Sequence, residues 1–545
     1  MKLKALFAIL ILASCQTEVK INNSLLQHMP QNAALVVQIN DFSKFQSEVK
    51  NNSFAASAKS LELFKDLFRK LDYVEFPISK TPIVLGLYEV GKSDFEFFLL
   101  TKDSMPEIAV GGVTNKTEEK IAYEKQSYTK YTLDGTTIFS MGNQKLNLIS
   151  SSQLLLENFI RATPLTKPQR ALEKLQRVAD TSASANLYLN FEYANGILKK
   201  YLKNKDVDEI SNFADWIGLD FSADQNQLNL TGICLASDST RNIINLLKGD
   251  TPFASSLPTI LPQGTKSLVS YALHDPKKFI QKQNTYLDRA TSKDTLFTTI
   301  EEIGIAQINQ QKAVVLNSFG AEALLEKLQP FTTTTTTYQN KEIYELATSD
   351  LLERNLKPLI TEFPSNYYTI IANSFVFAEQ KETLQNFISN ANNGTTFNAT
   401  KTHTTAMTAM AGEGNMIFLA NNEGIQHYLE EDFTANFSKA FKNLNLDDYA
   451  YASQLVADKD FLHTNIIISK TKELVANNTV GALFTVELDT DLATDPQFVK
   501  NHRTGKQEIV VQDIDNFLYL ISTGGKVLWK KQLNGKIRSK IHQVD

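Results

Sequence analysis

Eight residues from Gly86 to Ser93 have the spacing of a phosphate-binding loop, G-x-x-x-x-G-K-S. In such a loop the backbone N–H groups and the lysine bind nucleotide phosphates, and the loop must open a helix. The residues that follow, Phe95 to Leu100, are typical of a strand, so the required helix is missing. Gly91-Lys92-Ser93-Asp94 is typical of a tight hairpin turn, and we expect no nucleotide to bind there.

Histidine and carboxylate residues do not predict a metal centre either. The closest candidate is an acidic cluster before the C-terminal end, but it lacks the glycine and the closing glutamate of a calcium loop. A solvated acidic linker is the preferred interpretation of Glu487, Asp489, Asp491 and Asp495. The seven histidines include no H-E-x-x-H pattern, and His403 and His463 are expected to be surface or packing residues.

Nucleophile patterns are also missing from the sequence. No G-x-S-x-G motif occurs, and Cys234 lies in the apolar run Gly232 to Leu235, where a buried cysteine is expected. We therefore predict no catalytic residue, no metal and no cofactor.

The amino-acid composition and net charge limit the classes of protein and of partner that can be expected. Of 545 residues, 42% are hydrophobic and 21% are charged, as in folded soluble proteins, and the chain is too long for one hydrophobic core. The net charge is −5, and the lysines and arginines are scattered rather than clustered. A nucleic acid is therefore not expected as a partner.

The first fifteen residues have the organisation of an export signal. Lys2 and Lys4 precede an apolar run from Ala5 to Leu12, which is too short to span a bilayer. The run ends in Leu12-Ala13-Ser14-Cys15, which resembles the lipobox of Gram-negative bacterial lipoproteins. An ordinary secretory signal with a nearby cysteine is the alternative.

The lipobox resemblance implies that residues 1–14 are removed, that Cys15 carries lipid, and that residues 15–29 form a tether to the membrane. Gln16 stands where an aspartate would imply retention in the inner membrane, so the resemblance implies the outer membrane. Whether the protein faces the periplasm or the cell surface stays open. After lipidation Cys234 is the only remaining thiol, so no intramolecular disulfide is expected.

Three sets of residues recur in the same order along the chain, which predicts an internal repeat. The recurring sets are Met29 to Phe45 with Leu261 to Phe279, Asn195 to Leu202 with Glu423 to Leu429, and Ala223-Asp224 with Ala457-Asp458. We predict two related modules, residues 30–250 and 251–490.

The modules are expected to be α+β, with mainly antiparallel sheets and packed helices. Period-two runs predict strands with one buried face at Phe95 to Leu100, Lys145 to Ile149 and Gln227 to Thr231. Helical spacing occurs in Ser60 to Phe68 and in Arg170 to Leu175. The run Thr332 to Thr337 allows a strand end, a glycosylated tract or a loop, and a loop is preferred.

A linker at 491–507 is expected to precede a different region at 508–545. From Glu508 the residues predict three strands joined by turns, and the last forty or so residues resemble a blade of the PQQ-like β-propeller repeat. The resemblance implies that Gly525, Lys526 and Trp529 dock a blade against its neighbour. One blade cannot close a ring, so further blades would follow Asp545, or this end would pack on the second module.

Together these features favour a non-enzymatic outer-membrane lipoprotein that binds other envelope proteins or serves as an assembly scaffold. A quinoprotein-like oxidoreductase or ligand-binding propeller is one alternative, and a surface glycan or lipid binder is another.

Overall fold

The computed structural model describes most of the chain after residue 24, namely residues 25–59, 61, 65–76, 81–91, 94–102, 105–109, 111–142, 146–161, 170–203, 210–289, 296–471, 486, 488–502, 507–522 and 525–543. Leu12, Ala13, Ser14 and Cys15 lie outside these residues. The chain divides into two compact units between Thr471 and Lys472. Within the described ranges, no helix is long and apolar enough to cross a membrane.

The first half of the larger unit contains twelve strands and six α-helices within the described residues. The strands are β1 (Leu35–Ile39), β2 (Val74–Glu75), β3 (Ile83–Val90), β4 (Asp94–Thr101), β5 (Glu107–Ile108), β6 (Lys116–Tyr123), β7 (Gln126–Leu133), β8 (Thr136–Gly142), β9 (Asn147–Ser150), β10 (Ala185–Asn190), β11 (Trp216–Ala223) and β12 (Gln227–Leu235). The helices are α1 (Phe42–Asn51), α2 (Ser53–Ala58), α3 (Lys65–Leu71), α4 (Gln153–Arg161), α5 (Arg170–Val178) and α6 (Asn195–Tyr201).

The second half continues the same kind of structure. Its strands are β13 (Thr265–Ala272), β14 (Ile300–Ile308), β15 (Gln311–Ser318), β16 (Thr332–Tyr338), β17 (Lys341–Leu346), β18 (Tyr367–Ile371), β19 (Ser374–Ala378), β20 (Met416–Asn421), β21 (Tyr449–Ala457) and β22 (Leu462–Lys470). Its helices are α7 (Pro276–Tyr286), α8 (Ala321–Leu328), α9 (Leu351–Leu356), α10 (Lys381–Asn393), α11 (Lys401–Ala409), α12 (Asn422–Asp432) and α13 (Ala435–Lys442).

The order of hydrogen-bonded strands is the same in both halves. The first half reads β6-β7-β8-β9-β4-β3-β1-β10-β11-β12, and the second reads β16-β17-β18-β19-β15-β14-β13-β20-β21-β22. The pairings in both are antiparallel. The predicted α+β class with antiparallel sheets is therefore confirmed.

The recurring residues lie at matching points of this connectivity. Asp41 and Asp275 both cap the helix that follows the first strand of their half. The Asp41 side chain accepts one hydrogen bond from a backbone N–H of the first turn, and the Asp275 side chain accepts two. Gly196 and Gly424 lie in the first turn of the helices α6 and α12. A Cβ at Gly424 would come within 2.3 Å of the Lys266 carbonyl oxygen, so the backbones there can approach only without a side chain.

The two halves form one sheet because the last strand of each pairs with the other. In the antiparallel β12–β22 pair, Thr231 lies opposite Asn465. Thr231 is the eighth residue after Ala223, and Asn465 is the eighth after Ala457, so equivalent residues face each other at this point. The pairing thus has local two-fold symmetry. The boundary expected at residue 250 does not separate compact units, since both halves lie in one.

Both faces of the sheet are covered, which differs from the expectation of one buried face. In β4, Phe98 and Leu100 join one core cluster, while Phe97 and Leu99 join another. All four are fully buried. In the second half, helices α7, α8 and α9 contribute to one cluster, and α10 and α11 contribute to the other. A run of consecutive apolar residues marks a strand that is buried on both faces.

The threonine run is an edge strand, so the preferred loop was wrong. Residues Thr332–Tyr338 form β16, which pairs with β17 through a two-residue turn at Gln339 and Asn340. Both turn residues have positive φ, as this hairpin type requires. β-Branched threonines favour extended backbone, and residues 333–337 of this strand have exposed side chains.

The other local predictions agree with the structure to different degrees. The expected helix at Arg170 is confirmed, and so is the strand at Gln227. The strand expected from Lys145 is described as Asn147–Ser150. The helix expected from Ser60 is described only from Lys65 onward, as α3.

A fully buried carboxylate lies beside the connection between the halves. Glu302 of β14 accepts hydrogen bonds from the Ser270 hydroxyl at 2.5 Å and from the Ser256 N–H and hydroxyl at 3.2 Å. Burial raises the pKa of Glu302 above its ordinary value, and the hydrogen bonds oppose that shift only in part.

We expect Glu302 to make the protein less stable as the pH rises. Above the ordinary carboxyl pKa the unfolded chain releases this proton while the folded chain retains it, so the free energy of unfolding falls until the folded pKa is passed. A Glu302→Gln variant keeps an acceptor and a donor but cannot ionise, and should lose this component of the pH dependence. Urea unfolding between pH 4 and pH 8 measures it, and an unchanged slope would contradict the assignment.

The smaller unit is a four-stranded antiparallel sheet. Its strands, in spatial order, are β23 (Gln497–Lys500), β24 (Gln507–Gln512), β25 (Phe517–Ser522) and β26 (Val527–Gln532). The first of these strands lies inside the stretch 491–507, which was expected to be a linker. The sequence did not predict this strand because its pairing with β24 is not visible in local sequence. As described, residues 486–543 form one open sheet rather than a closed ring.

Candidate binding sites

The residues that resemble a propeller repeat lie on the last hairpin of the smaller unit. Gly525 has a φ of +77° in the turn before β26, and its N–H donates to the Ser522 carbonyl. The Lys526 N–H donates to the Ser522 hydroxyl at 3.1 Å. Trp529 lies opposite Leu520, and 43% of its surface is exposed.

Three consecutive apolar residues of β26 are exposed in this unit, and we call Val527, Leu528 and Trp529 the β26 patch. The register shifts here, since Leu520 pairs with Trp529 while Ile521 pairs with Val527, so Leu528 is the extra residue of a bulge. Bulky apolar side chains on an edge strand are a site where a partner can bury apolar area.

One carboxylate of the acidic cluster pairs with a lysine of this sheet. Asp489 makes an ion pair with Lys530, which holds the Asp489 pKa below its ordinary value. The Lys530 ammonium also lies 3.8 Å from the centroid of the Phe517 ring. Glu487 lies outside the described residues. Those that are described contain no group of three histidine, cysteine or carboxylate side chains arranged to bind a metal ion.

The segment with phosphate-loop spacing lies at a hairpin, as predicted. Strand β3 ends at Val90, Gly91 has a φ of +78°, and β4 begins at Asp94 and pairs back onto β3. Lys92 and Ser93 lie outside the described residues. No helix follows the motif in the described structure, so the geometry that binds phosphate in such loops is missing.

The same hairpin borders a cleft of about 420 Å³ that also contacts residues 27–32 and 154–159. The buried Tyr88 is among its lining residues, and the Tyr88 hydroxyl donates to the Pro30 carbonyl at 2.9 Å. Burial, with Lys102 nearby, lowers the pKa of His28. This cleft mixes apolar and polar side chains and does not favour one ligand chemistry.

A second cleft, of about 400 Å³, lies where the two halves of the larger unit are connected. It is lined by residues 238–248, which follow β12, and by the end of α7. We call it the junction cleft. Three cationic side chains, Arg241, Lys248 and Lys282, line it together with one carboxylate, Asp238. It therefore carries a positive charge in a chain whose net charge is negative.

The cations of the junction cleft are held in different ways. The Lys282 ammonium donates to the carbonyls of Leu246 and Lys248, and burial lowers its pKa to about 8. The Lys248 ammonium pairs with Asp238 at 2.5 Å. The Arg241 guanidinium lies 5.6 Å from the centroid of the Tyr286 ring.

Sequence reasoning missed this cleft. Its cations are separated by up to about forty residues and belong to a connecting segment and a helix. The scattered distribution of lysines and arginines gave no local signal, because only the packing of α7 against the connecting segment brings them together.

The remaining candidates are packing residues. Cys234 is buried as predicted, with its sulfur 2.9 Å from the Thr464 hydroxyl, and burial raises its pKa to about 12, so it is a poor nucleophile. His403 packs against Phe397, and His463 packs against Phe461, with ring centroids 5.9 and 5.0 Å apart.

Comparison with known proteins does not identify a family. No family model and no curated protein match the chain. A solved structure titled "Structure of crystal form I of TP0453" is 13% identical, covers 41% of this chain and 82% of its own, and has a TM-score of 0.24. At these values the similarity carries no argument about fold or function.

Proposed function

We propose that this protein is a lipoprotein of the outer membrane, anchored through Cys15, that binds other envelope proteins as a non-enzymatic scaffold. The observation that carries the binding role is the β26 patch, because three adjacent apolar side chains remain exposed on a strand edge. Aromatic residues such as Trp529 contribute most of the binding energy in many protein interfaces.

Two structural assignments accompany this proposal. The repeated strand order and the two-fold pairing at Thr231 support the view that the two halves of the larger unit are copies of one module. The four-stranded meander of the smaller unit, with Gly525 in a turn and Trp529 exposed, supports a PQQ-like blade. Such a blade would use its exposed residues to dock a neighbouring sheet.

A photo-crosslinking experiment in cells tests the binding role. A photoreactive residue at Leu528 should give one defined adduct with an envelope protein. Adding Trp529→Ala should weaken binding by tenfold or more, since a hot-spot tryptophan contributes about 2 kcal/mol or more and each 1.4 kcal/mol is tenfold.

The control is the same photoreactive residue at Asp515, which is exposed in the turn between β24 and β25. It should give no adduct of that mass. Equal adducts at both positions, or a Leu528 adduct that Trp529→Ala does not reduce, would contradict binding through the β26 patch.

A further inference from the structure

Strand β26 is an outer strand of the smaller unit's sheet, and all six of its residues are exposed. The Leu533 N–H donates to the carbonyl of Asn516, which lies opposite, so the backbone groups of the preceding residue, Gln532, point away from β25. Those of Lys530 also point away, because the direction alternates along a strand. No strand among the described residues pairs with this edge, so its N–H and C=O groups can pair with an added strand.

The two faces of β26 differ in character. Val527 lies opposite Ile521, on the face that carries the small apolar cluster of this unit. Lys530 shares that face, but it is already paired with a carboxylate. Trp529 and Lys531 lie on the other face, since side chains two residues apart share a face. An added strand would therefore meet an apolar face on one side and a cationic face on the other.

The cationic face continues onto the segment that follows β26. Leu518 lies opposite both Lys531 and Gln512, so these three side chains share a face. The Gln512 side chain donates to the Gly535 carbonyl at 3.0 Å and accepts from the Ile537 N–H at 2.7 Å, which holds the segment across this face. The segment carries three exposed cations, namely Lys536, Arg538 and Lys540.

These cations have no matching anions in their own unit. No aspartate or glutamate occurs between residues 516 and 544, although the net charge of the whole chain is −5. The three cations and Lys531 make no ion pair with a described residue. Glu508 shares their face, but it is buried and accepts a hydrogen bond from the Asn501 amide at 2.6 Å. The complementary negative charge must therefore come from a partner.

We propose that β26 binds an extended segment of a partner protein, in which acidic and apolar residues alternate, as an added antiparallel strand. The acidic side chains lie on the face of Lys531, and the apolar side chains lie on the face of Val527. The backbone of the segment pairs with the outward groups of Lys530 and Gln532. This inference rests on the proposed function, which assigns protein binding to the β26 patch, and it specifies the partner and the mode of binding.

Two other occupants of this edge fit less well. A second copy of β26 would bring two cationic faces together, and like charges across a strand pair are destabilising. A lipid bilayer could bury Trp529, but its hydrocarbon cannot form hydrogen bonds with the outward backbone groups of Lys530 and Gln532.

Titration of the purified full-length protein with synthetic octapeptides tests the proposal. The probe alternates glutamate and valine, and the emission of Trp529 reports binding, since the other tryptophan, Trp216, is buried. One comparison peptide alternates lysine and valine. The other is the probe with N-methylated valines, which lacks the N–H groups that would face β26. The probe should bind at least tenfold more tightly than either, and equal binding of the N-methylated peptide would overturn strand addition.

A proline at Gln532 tests the backbone pairing from the side of the protein. The Gln532 N–H points outward and is not used by β25, so Gln532→Pro should preserve the sheet while weakening the probe at least tenfold. Gln532→Ala is the matched control, because both variants lose the side-chain hydrogen bond to the Asp515 carbonyl. It should leave binding within twofold, and equal losses in the two variants would contradict the proposal.

Charge reversal at Lys531 tests the acidic character of the segment. Lys531→Glu should weaken the glutamate peptide at least fivefold and strengthen the lysine peptide. The control is Lys277→Glu, which makes the same charge change at an exposed position of α7 in the larger unit. It should leave both affinities within twofold. Equal effects of the two variants would show a general charge effect and overturn the assignment.

Adding Gln532→Pro to the photo-crosslinking experiment at Leu528 separates this proposal from the proposed function. A protein adduct that the proline reduces at least tenfold supports both. If the proline leaves the adduct unchanged, protein binding stands and strand addition is wrong. If Leu528 gives no protein adduct, the proposed function itself is wrong, and a lipid adduct would show that β26 faces a membrane instead.

Discussion

A Cys15→Ala variant is expected to lose all lipid labelling and to retain the signal segment, residues 1–14. Lipid would be attached to the sulfur atom of Cys15, which alanine lacks. The lipoprotein signal peptidase cleaves only after that attachment, so the signal segment would stay on the variant. Each buried methylene contributes about 0.8 kcal/mol to membrane binding, so several acyl chains account for a lasting anchor. Metabolic labelling with an alkyne fatty acid, together with an intact mass, measures both effects.

The matched control is Cys234→Ala, because Cys234 is the only other cysteine of the chain. Its buried sulfur contacts Thr464, so that variant should keep its lipid and its processed mass while losing some stability. Lipid labelling that persists in Cys15→Ala would show that the lipobox resemblance is wrong and would remove the anchored part of the proposed function.

A Thr231→Cys/Asn465→Cys variant is expected to form a disulfide between the two halves of the larger unit. The Asp224 N–H donates to the Gln227 carbonyl, so the backbone N–H and C=O groups of Gln227 point toward β11. These directions alternate from one strand residue to the next, and Thr231 is four residues after Gln227. The backbone groups of Thr231 therefore also point toward β11. Thr231 and Asn465 are therefore a non-hydrogen-bonded pair, with Cα atoms about 4.5 Å apart. That separation lies within the range that a disulfide spans.

The stabilisation should be large, because the crosslink closes a long loop. With roughly 230 residues between the two cysteines, chain entropy gives an upper value of about 5 kcal/mol for the gain in free energy of unfolding. Gel mobility without reductant shows the disulfide, and urea unfolding measures the gain.

An offset pair distinguishes this register from loose proximity. Asn229 lies opposite Ile467 rather than Asn465, so Asn229→Cys/Asn465→Cys should crosslink poorly. Equal crosslinking of both pairs, or of neither, would contradict the two-fold pairing of β12 with β22.

Local patterns in the sequence predicted those features that depend on neighbouring residues. The hairpin at Gly91, the strand at Phe95 to Leu100 and the helix at Arg170 all follow from residue types and spacing alone. Turn residues and apolar spacing act over a few positions, so a single sequence contains the information needed for these elements.

Local patterns did not predict which faces of a strand are buried or which strand it pairs with. The run from Phe97 to Leu100 is extended as expected, but it is buried on both faces because helices cover both sides of the sheet. The threonines of β16 form an edge strand because the Gln339-Asn340 turn pairs them with β17. In each case the deciding contact comes from another element.

The sequence by itself determined the α+β class, the order of the recurring residues and the expected position of the lipid anchor. Only the tertiary structure decided that β12 pairs with β22, that Trp529 stays exposed, and that Arg241 and Lys282 line one cleft. The physical reason is that strand register and side-chain clustering depend on contacts between residues far apart in the chain. Spacing and composition record only the preferences of neighbouring residues.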